Sequence, residues 1–228
     1  MKKNIIIALL LSSGIAAAQT QPLTFGITGK IDDIKEKANI ILQYSYQGKR
    51  VNDTVALVNG TFSFKGKIEK PDRSLLFIVK ASDNPKMMMS MGYAGDIIGR
   101  DGITLYLDEG KINVNGPTLK TATVKGSAAH TEYLVLQQQL KPVYDKLEDI
   151  NKKTLALPER KGDAYEALVS QRTKAFDEMG PIQDAFIKSH LNSYVSWNMV
   201  VGKSIIIDPV KQKKLLYAFG DKFLKSED

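Results

Sequence analysis

The chain has 228 residues, a net charge of +7 and no cysteine, which excludes disulfides and thiolate-ligated metals and leaves apolar burial to stabilise the fold. Its positive charge is thinly spread, since residues 19–126 hold 15 lysines and arginines against 11 acids and residues 127–228 hold 15 against 14. Nucleic-acid binding calls for a dense basic stripe with interleaved aromatic residues, so the sequence predicts a solvated surface and no nucleic-acid partner.

Residues 1–18 have the pattern of a signal peptide. Lys2 and Lys3 supply a positive start, Ile5 to Leu11 an apolar run, and Ala16-Ala17-Ala18 a cleavage site. The apolar run is too short for a membrane-spanning helix, and no cysteine follows it that would carry a lipid anchor. We therefore expect an exported protein of the periplasm or cell envelope, without a membrane-spanning segment.

Short alternating segments separated by turn residues extend from Phe25 to Gly126. Their spacing predicts eight to nine strands in an antiparallel β-sandwich over residues 19–126, although a jelly-roll or a barrel remains open on pattern alone. The strongest turn signal is Asn59-Gly60, which favours a two-residue hairpin because both turn positions need a positive φ. In that register the strands pair Val58 with Thr61, Leu57 with Phe62, Ala56 with Ser63 and Val55 with Phe64. The hairpin would then bury both phenylalanine rings on one face.

Apolar residues take up helical spacing after Ser127, a candidate N-cap. Residues 127–228 are therefore predicted to form three to four helices and to end in a linker-like tail. Pro142 is expected to kink or split the first helix, and Gly180-Pro181 to interrupt the second. Further candidate caps are Ser193 and Asp208, the latter directly before Pro209. Together these patterns predict an α+β fold, a β-sandwich followed by a helical segment.

The residues show little catalytic or metal-binding chemistry. His130 and His190 are the only histidines, and their wide separation does not favour a shared metal site. The run Met87-Met88-Met89-Ser90-Met91 offers thioether ligands for Cu(I), but successive methionines alternate between the faces of a strand, and an apolar gap-filling segment is the alternative. Adjacent carboxylates fall in turns, and no serine-nucleophile motif is present. The sequence thus predicts no catalytic residue, no cofactor and no metal ligand.

Tyrosines on the predicted sandwich leave a ligand surface open as an alternative. They are Tyr44, Tyr46, Tyr93 and Tyr106. Tyr44 and Tyr46 alternate with Ile40 and Leu42 along one face of a strand. The pattern therefore favours core packing over a platform for a carbohydrate or a peptide.

Four stretches, in order along the chain, resemble one known family. DTVALVNGTFSFKGKIEKP, from residue 53 to 71, resembles its G-x-F-x-F-x-G signature through Gly60, Phe62, Phe64 and Gly66. LYLDEGKINVNG, VKGSAAHTEY and FIKSHLNSYVSW resemble its later segments. The family is the domain of unknown function 4369, which precedes a thioredoxin-like domain in exported bacterial thiol–disulfide oxidoreductases.

The resemblance implies a non-catalytic accessory module that docks, positions or dimerises a thioredoxin-like oxidoreductase of the envelope. Its expected partners are a thioredoxin-like domain, in the same gene product or in a separate protein, and a second copy of this chain. No Cys-x-x-Cys is present, so we expect either a fragment of a longer protein or a stand-alone module without thiol chemistry of its own. The alternative is a free-standing envelope binding protein for a peptide, a glycan or a metal.

Overall fold

Strands and then helices follow one another along the chain. The computed structural model describes residues 21–84, 90–91, 97–202, 209–220 and 223, so the predicted signal peptide, Met87 to Met89, Tyr93 and Asp208 lie outside the described residues. The strands are β1 (Leu23–Ile31), β2 (Ala38–Tyr46), β3 (Lys49–Ala56), β4 (Thr61–Ile68), β5 (Asp72–Lys80), β6 (Ser90–Met91), β7 (Ile97–Ile98), β8 (Gly102–Leu107), β9 (Gly110–Gly116) and β10 (Thr123–Lys125). The helices are α1 (Ala128–Ala156), α2 (Asp163–Ser189), α3 (Tyr194–Gly202) and α4 (Pro209–Ala218).

Two four-stranded sheets face each other as a sandwich. Sheet A has the order β10-β9-β1-β4, sheet B has the order β3-β2-β5-β8, and β6 pairs with β7. Inward side chains of both sheets form one apolar core, in which Phe25 of β1 meets Tyr44 of β2 edge to face, with ring centres 5.3 Å apart. The predicted β-sandwich followed by helices is confirmed. One strand pair departs from the predicted antiparallel sandwich, since β1 and β9 pair in parallel.

The turn at Asn59-Gly60 forms as predicted, but the hairpin beyond it does not. Both residues have positive φ, 51° and 75°, and Val58 and Thr61 exchange backbone hydrogen bonds of 3.0 and 2.9 Å. After that pair β3 joins β2 in sheet B while β4 joins β1 in sheet A. The predicted pairs Leu57–Phe62, Ala56–Ser63 and Val55–Phe64 are therefore wrong. Phe62 and Phe64 are nevertheless buried, because two facing sheets bury the same alternate residues as one hairpin with a covered face.

Helices α1 and α2 are unbroken despite their internal prolines. α1 begins directly after Ser127, as predicted, and the Ser127 hydroxyl accepts a hydrogen bond from the His130 N–H at 2.9 Å. The helix is not split at Pro142, and the predicted interruption of α2 at Gly180-Pro181 is wrong. Both prolines lie on exposed sides of their helices, where water can hydrogen-bond the carbonyl that lacks an N–H donor.

The helical segment covers the β5–β8 half of the outer face of sheet B. Tyr106 of β8 is buried there against Tyr133 and Leu136 of α1, together with Phe186 of α2 and Val195 of α3. Ser193 caps α3 as predicted, since its hydroxyl accepts from the backbone N–H of residue 195 at 3.0 Å and donates to Glu132 of α1. No helix in the described part of the chain combines the length and apolar character needed to cross a membrane.

Candidate functional site

A cleft of about 670 Å³ opens between the outer face of sheet B and helices α1 and α3. Its size falls within the range of ligand sites, roughly 300–1,000 Å³. We call it the tyrosine cleft. Its lining includes Asp72 and Arg73 of β5, Tyr106 of β8, Tyr133, Gln137 and Tyr144 of α1, Gln183 of α2, and Asn198, Met199 and Val201 of α3.

The floor of the cleft exists because β8 is buried on both faces. Leu105 and Leu107 point into the sandwich core, while Tyr106 points outward and is covered by the helices. β8 is an edge strand of sheet B, so its outer backbone groups have no neighbouring strand. The Tyr106 N–H instead donates to Nδ1 of His130 at 3.4 Å, which holds the first turn of α1 over the strand. The Tyr106 and Tyr133 rings then lie with centres 5.3 Å apart.

A carboxylate and an amide join α3 to β5 inside the cleft. The Asn198 side-chain amide donates to Oδ1 of Asp72 at 3.1 Å, and the same oxygen accepts from the Arg73 N–H at 2.7 Å. Burial raises the pKa of Asp72 above its ordinary value, although these two hydrogen bonds and the charges of Lys70 and Arg73 act in the opposite direction. The Asp72 carboxyl is thus a partly desolvated acceptor held in place by the helical layer.

The phenols of Tyr106 and Tyr144 stay protonated at neutral pH. Burial raises the pKa of Tyr106 to about 12, with a smaller contribution from the Asp72 charge, while Asn198 and Arg73 oppose the shift. Burial also raises the pKa of Tyr144, against a hydrogen bond from Gln137 that lowers it. Tyr106 and Tyr144 therefore present neutral hydroxyls and apolar rings.

The side-chain carbonyl of Gln137 is the unsatisfied group of the cleft. Its Oε1 is buried and has no hydrogen-bond partner among the described residues. A buried carbonyl without a partner carries a desolvation cost that a ligand N–H or O–H would remove. In the described part of the chain, the cleft lining contains no serine, cysteine, histidine or lysine. Its groups are suited to hydrogen bonding and packing of a bound segment.

The two histidines lie in different helices, at the start of α1 and at the end of α2. His130 is buried in the first turn of α1, and burial lowers its pKa to about 4. His190 is the C-cap of α2 and stacks on Phe186 with ring centres 4.1 Å apart. Among the described residues, no group of three or more histidines and acids is placed to hold a metal. The methionine run lies outside the described residues except for Ser90 and Met91, which form β6.

The structure separates the tyrosines that the sequence grouped together. Tyr44 packs in the sandwich core, as predicted, and its hydroxyl donates to Asp53 at 3.1 Å. Tyr46 is partly buried against the same core, whereas Tyr106 faces the other way and lines the cleft. Sequence reasoning missed the cleft because its walls come from four distant stretches. The available signal was ITLYL, a strand with large apolar side chains on both faces, which indicates a layer on each side.

This architecture defines a class of protein: a two-sheet β-sandwich with a helical layer over one sheet and a cleft between them. Residues 25–133 match the family model described as a domain of unknown function, DUF4369. That part of the chain is therefore similar to the DUF4369 family, which confirms the resemblance drawn from the sequence. It contributes Asp72, Tyr106 and Tyr133 to the cleft, while Asn198 lies beyond it. No curated protein and no solved structure matches the chain.

Proposed function

We propose that this protein is exported to the cell envelope and acts there as a non-catalytic module that docks a thioredoxin-like thiol–disulfide oxidoreductase. The observation that carries the proposal is a DUF4369 domain in a chain without a single cysteine. Disulfide exchange needs an attacking thiolate, so the reactive thiols must belong to a partner. The role of this chain is then to hold that partner.

The tyrosine cleft is the proposed docking point, and its occupant is an extended peptide segment of the oxidoreductase. Side-chain amides of Gln137, Gln183 and Asn198 line the cleft, and an amide matches the donors and acceptors of a peptide backbone. The rings of Tyr106 and Tyr133 supply apolar walls beside them. Polar groups placed beside apolar rings in a concave site are typical of a site that orients its ligand.

The proposal is tested with the purified chain and a purified exported thioredoxin-like oxidoreductase of the same organism. Calorimetric titration is expected to show binding, and an insulin-reduction assay should show turnover by the oxidoreductase and none by this chain alone. Val201→Glu places a charge at the cleft rim, where Val201 is 38% exposed. We expect it to weaken binding by about tenfold or more.

The matched control is Leu155→Glu, because Leu155 is 63% exposed near the end of α1 and does not line the cleft. It should leave the affinity unchanged. Thiol–disulfide turnover by the chain alone would overturn the non-catalytic role. Absence of binding to every such oxidoreductase would overturn the docking role, and equal weakening by the two variants would remove the cleft from it.

A second candidate function is a free-standing envelope binding protein for a peptide or a glycan. The buried, unpaired Oε1 of Gln137 favours this candidate. A hydrogen-bond donor of any bound ligand would gain binding free energy by pairing with this oxygen. A thermal-shift screen of short peptides and oligosaccharides is the test, since a ligand selective for the folded state raises the apparent stability. Stabilisation by one compound class that is lost in Gln137→Leu supports this candidate; a screen without any shift removes it.

A further inference from the structure

The outer face of sheet A carries no helical layer. Helices cover the β5–β8 half of sheet B, whereas the outward side chains of β1, β4, β9 and β10 are exposed or partly exposed. They are threonine, serine, asparagine, glycine and lysine, and none of the outward strand positions holds an acid, an aromatic ring or a large aliphatic group. The lysines are Lys30, Lys65, Lys67, Lys111 and Lys125.

The fold gathers these lysines from three separate stretches of sequence. Lys65 of β4 and Lys111 of β9 both lie opposite Gly26 of the central strand β1. Lys125 of β10 lies opposite Asn113, which is two positions from Lys111 on the same face. The Cα atoms of Lys65 and Lys111 are therefore about 10 Å apart, because β1 lies between their strands and neighbouring strands are spaced by about 4.8 Å. A charge excess that looks diffuse along the chain becomes one basic face.

Gly26 lies between Lys65 and Lys111, and its missing side chain leaves a gap there. Packing of the core does not require a glycine at this position. A Cβ at Gly26 would meet only the Phe64 carbonyl oxygen, at 3.9 Å, whereas a Cβ at Gly29 of the same strand would lie 2.1 Å from the Phe62 ring. Gly29 is thus needed by the core and Gly26 is not. Glycine inside a strand weakens it and marks places where another group approaches the backbone closely. Here that place lies between two ammonium groups.

Four of the five lysine charges on this face have no acidic partner among the described residues. Lys30 pairs with Asp32 at 3.2 Å. For Lys65, Lys67, Lys111 and Lys125 the described residues provide no carboxylate within ion-pair distance. Each lysine close to an anionic surface strengthens binding by about fivefold at low ionic strength, so four of them acting together suffice for salt-sensitive adhesion.

We propose that the outer face of sheet A is a docking surface for an anionic phospholipid membrane, with lipid phosphates lying among Lys65, Lys67, Lys111 and Lys125. The four lysines lie on three of the four strands of an open sheet face, β4, β9 and β10. Such a spread suits a plane of phosphates. The absence of outward aromatic rings from the described strands of this face disfavours a sugar polymer, because sugar recognition relies on ring stacking. With no large apolar side chain on the face, the protein adsorbs without inserting.

The test is sedimentation of the full-length mature chain with vesicles. We expect binding to vesicles that contain phosphatidylglycerol, none to vesicles of phosphatidylcholine alone, and loss of binding at high salt. The double variant Lys65→Glu/Lys111→Glu should lower the affinity by more than about tenfold. Lys174→Glu/Lys188→Glu makes the same change of net charge at exposed positions of α2 and should leave the affinity within about twofold.

Thermal unfolding of both double variants shows that each is folded. Failure to bind phosphatidylglycerol vesicles at low salt, or equal loss in the two double variants, would overturn the proposal. Binding to a soluble anionic polysaccharide such as alginate but not to vesicles would also overturn it and assign the face to a glycan. No oxidoreductase is present in the assay, so its failure leaves the docking function proposed above untouched.

Discussion

The side-chain amide of Asn198 donates to Oδ1 of Asp72 at 3.1 Å, although the two residues are 126 positions apart. Asp72 begins β5 and Asn198 lies in α3. The bond therefore joins the helical segment to the sandwich at the floor of the tyrosine cleft. It is also where the residues that match the DUF4369 model meet residues beyond the match.

The stability lost on breaking this hydrogen bond should depend on the residue that replaces Asp72. Asp72→Ala leaves the Asn198 amide without its acceptor, and we expect the free energy of unfolding to fall by about 1–3 kcal/mol. Asp72→Asn keeps an acceptor oxygen and removes a charge that burial disfavours, so its loss should stay below about 1 kcal/mol. Urea unfolding at pH 7 measures both. Equal losses in the two variants would show that the hydrogen bond to Asn198 contributes nothing.

The buried imidazole of His130 should make the free energy of unfolding depend on pH. Its folded pKa is lowered to about 4, whereas an unfolded histidine titrates near 6.5. The unfolded chain therefore binds the proton first, and this contribution to stability is complete above about pH 6.5 and is lost as the pH falls towards about 4. The loss is on the order of 3 kcal/mol. Urea unfolding at pH 7.5 and pH 4.5 measures it.

His130→Asn is the matching variant, because its side-chain oxygen can accept from the Tyr106 N–H in place of Nδ1. Its stability should fall less between the two pH values than that of the unchanged protein. An identical fall in both proteins would mean that the imidazole does not titrate in this range and that other groups set the acid sensitivity.

Two glycines with positive φ should respond differently to the same substitution. A Cβ at Gly60 would lie 2.6 Å from the Ile31 carbonyl oxygen, whereas a Cβ at Gly48 meets nothing within 4 Å. Gly48→Ala should cost only the left-handed backbone, about 1–2 kcal/mol. Gly60→Ala adds a clash with backbone and should cost on the order of 1–3 kcal/mol more. Chemical denaturation measures the difference. Equal losses of unfolding free energy in the two variants would contradict the turn geometry at residues 58–61.

The Phe62 ring and Gly29 should be energetically coupled. Phe62 is 6% exposed, and Phe62→Ala is expected to cost about 3–5 kcal/mol. A Cβ at Gly29 would overlap that ring at 2.1 Å, so Gly29→Ala should destabilise the unchanged protein and cost much less when Phe62 is already alanine. A double-mutant cycle isolates the interaction. Strictly additive costs would show that the ring does not cover Gly29.

Local signals identified several elements correctly. The positive φ of Asn59-Gly60 was predictable because an Asn-Gly turn is a property of two adjacent residues. The start of α1 after Ser127 was predictable for the same reason, since a hydroxyl that caps an N–H three residues later needs no distant partner. The predicted interruption at Pro181 was wrong, because the effect of a proline depends on whether the freed carbonyl faces water, and that is decided by where the helix packs.

The sequence by itself determined which side chains are buried: alternation along β4 puts Phe62 and Phe64 on one apolar face, whichever strand pairs with it. Only the tertiary structure decided which strands β3 and β4 join, because a period of two residues specifies a face and not a neighbour. Sheet order then brought Asp72, Tyr106 and Asn198 to one cleft and Lys65 and Lys111 to one face. These groupings depend on strand and helix contacts between residues far apart in the chain, which no local pattern records.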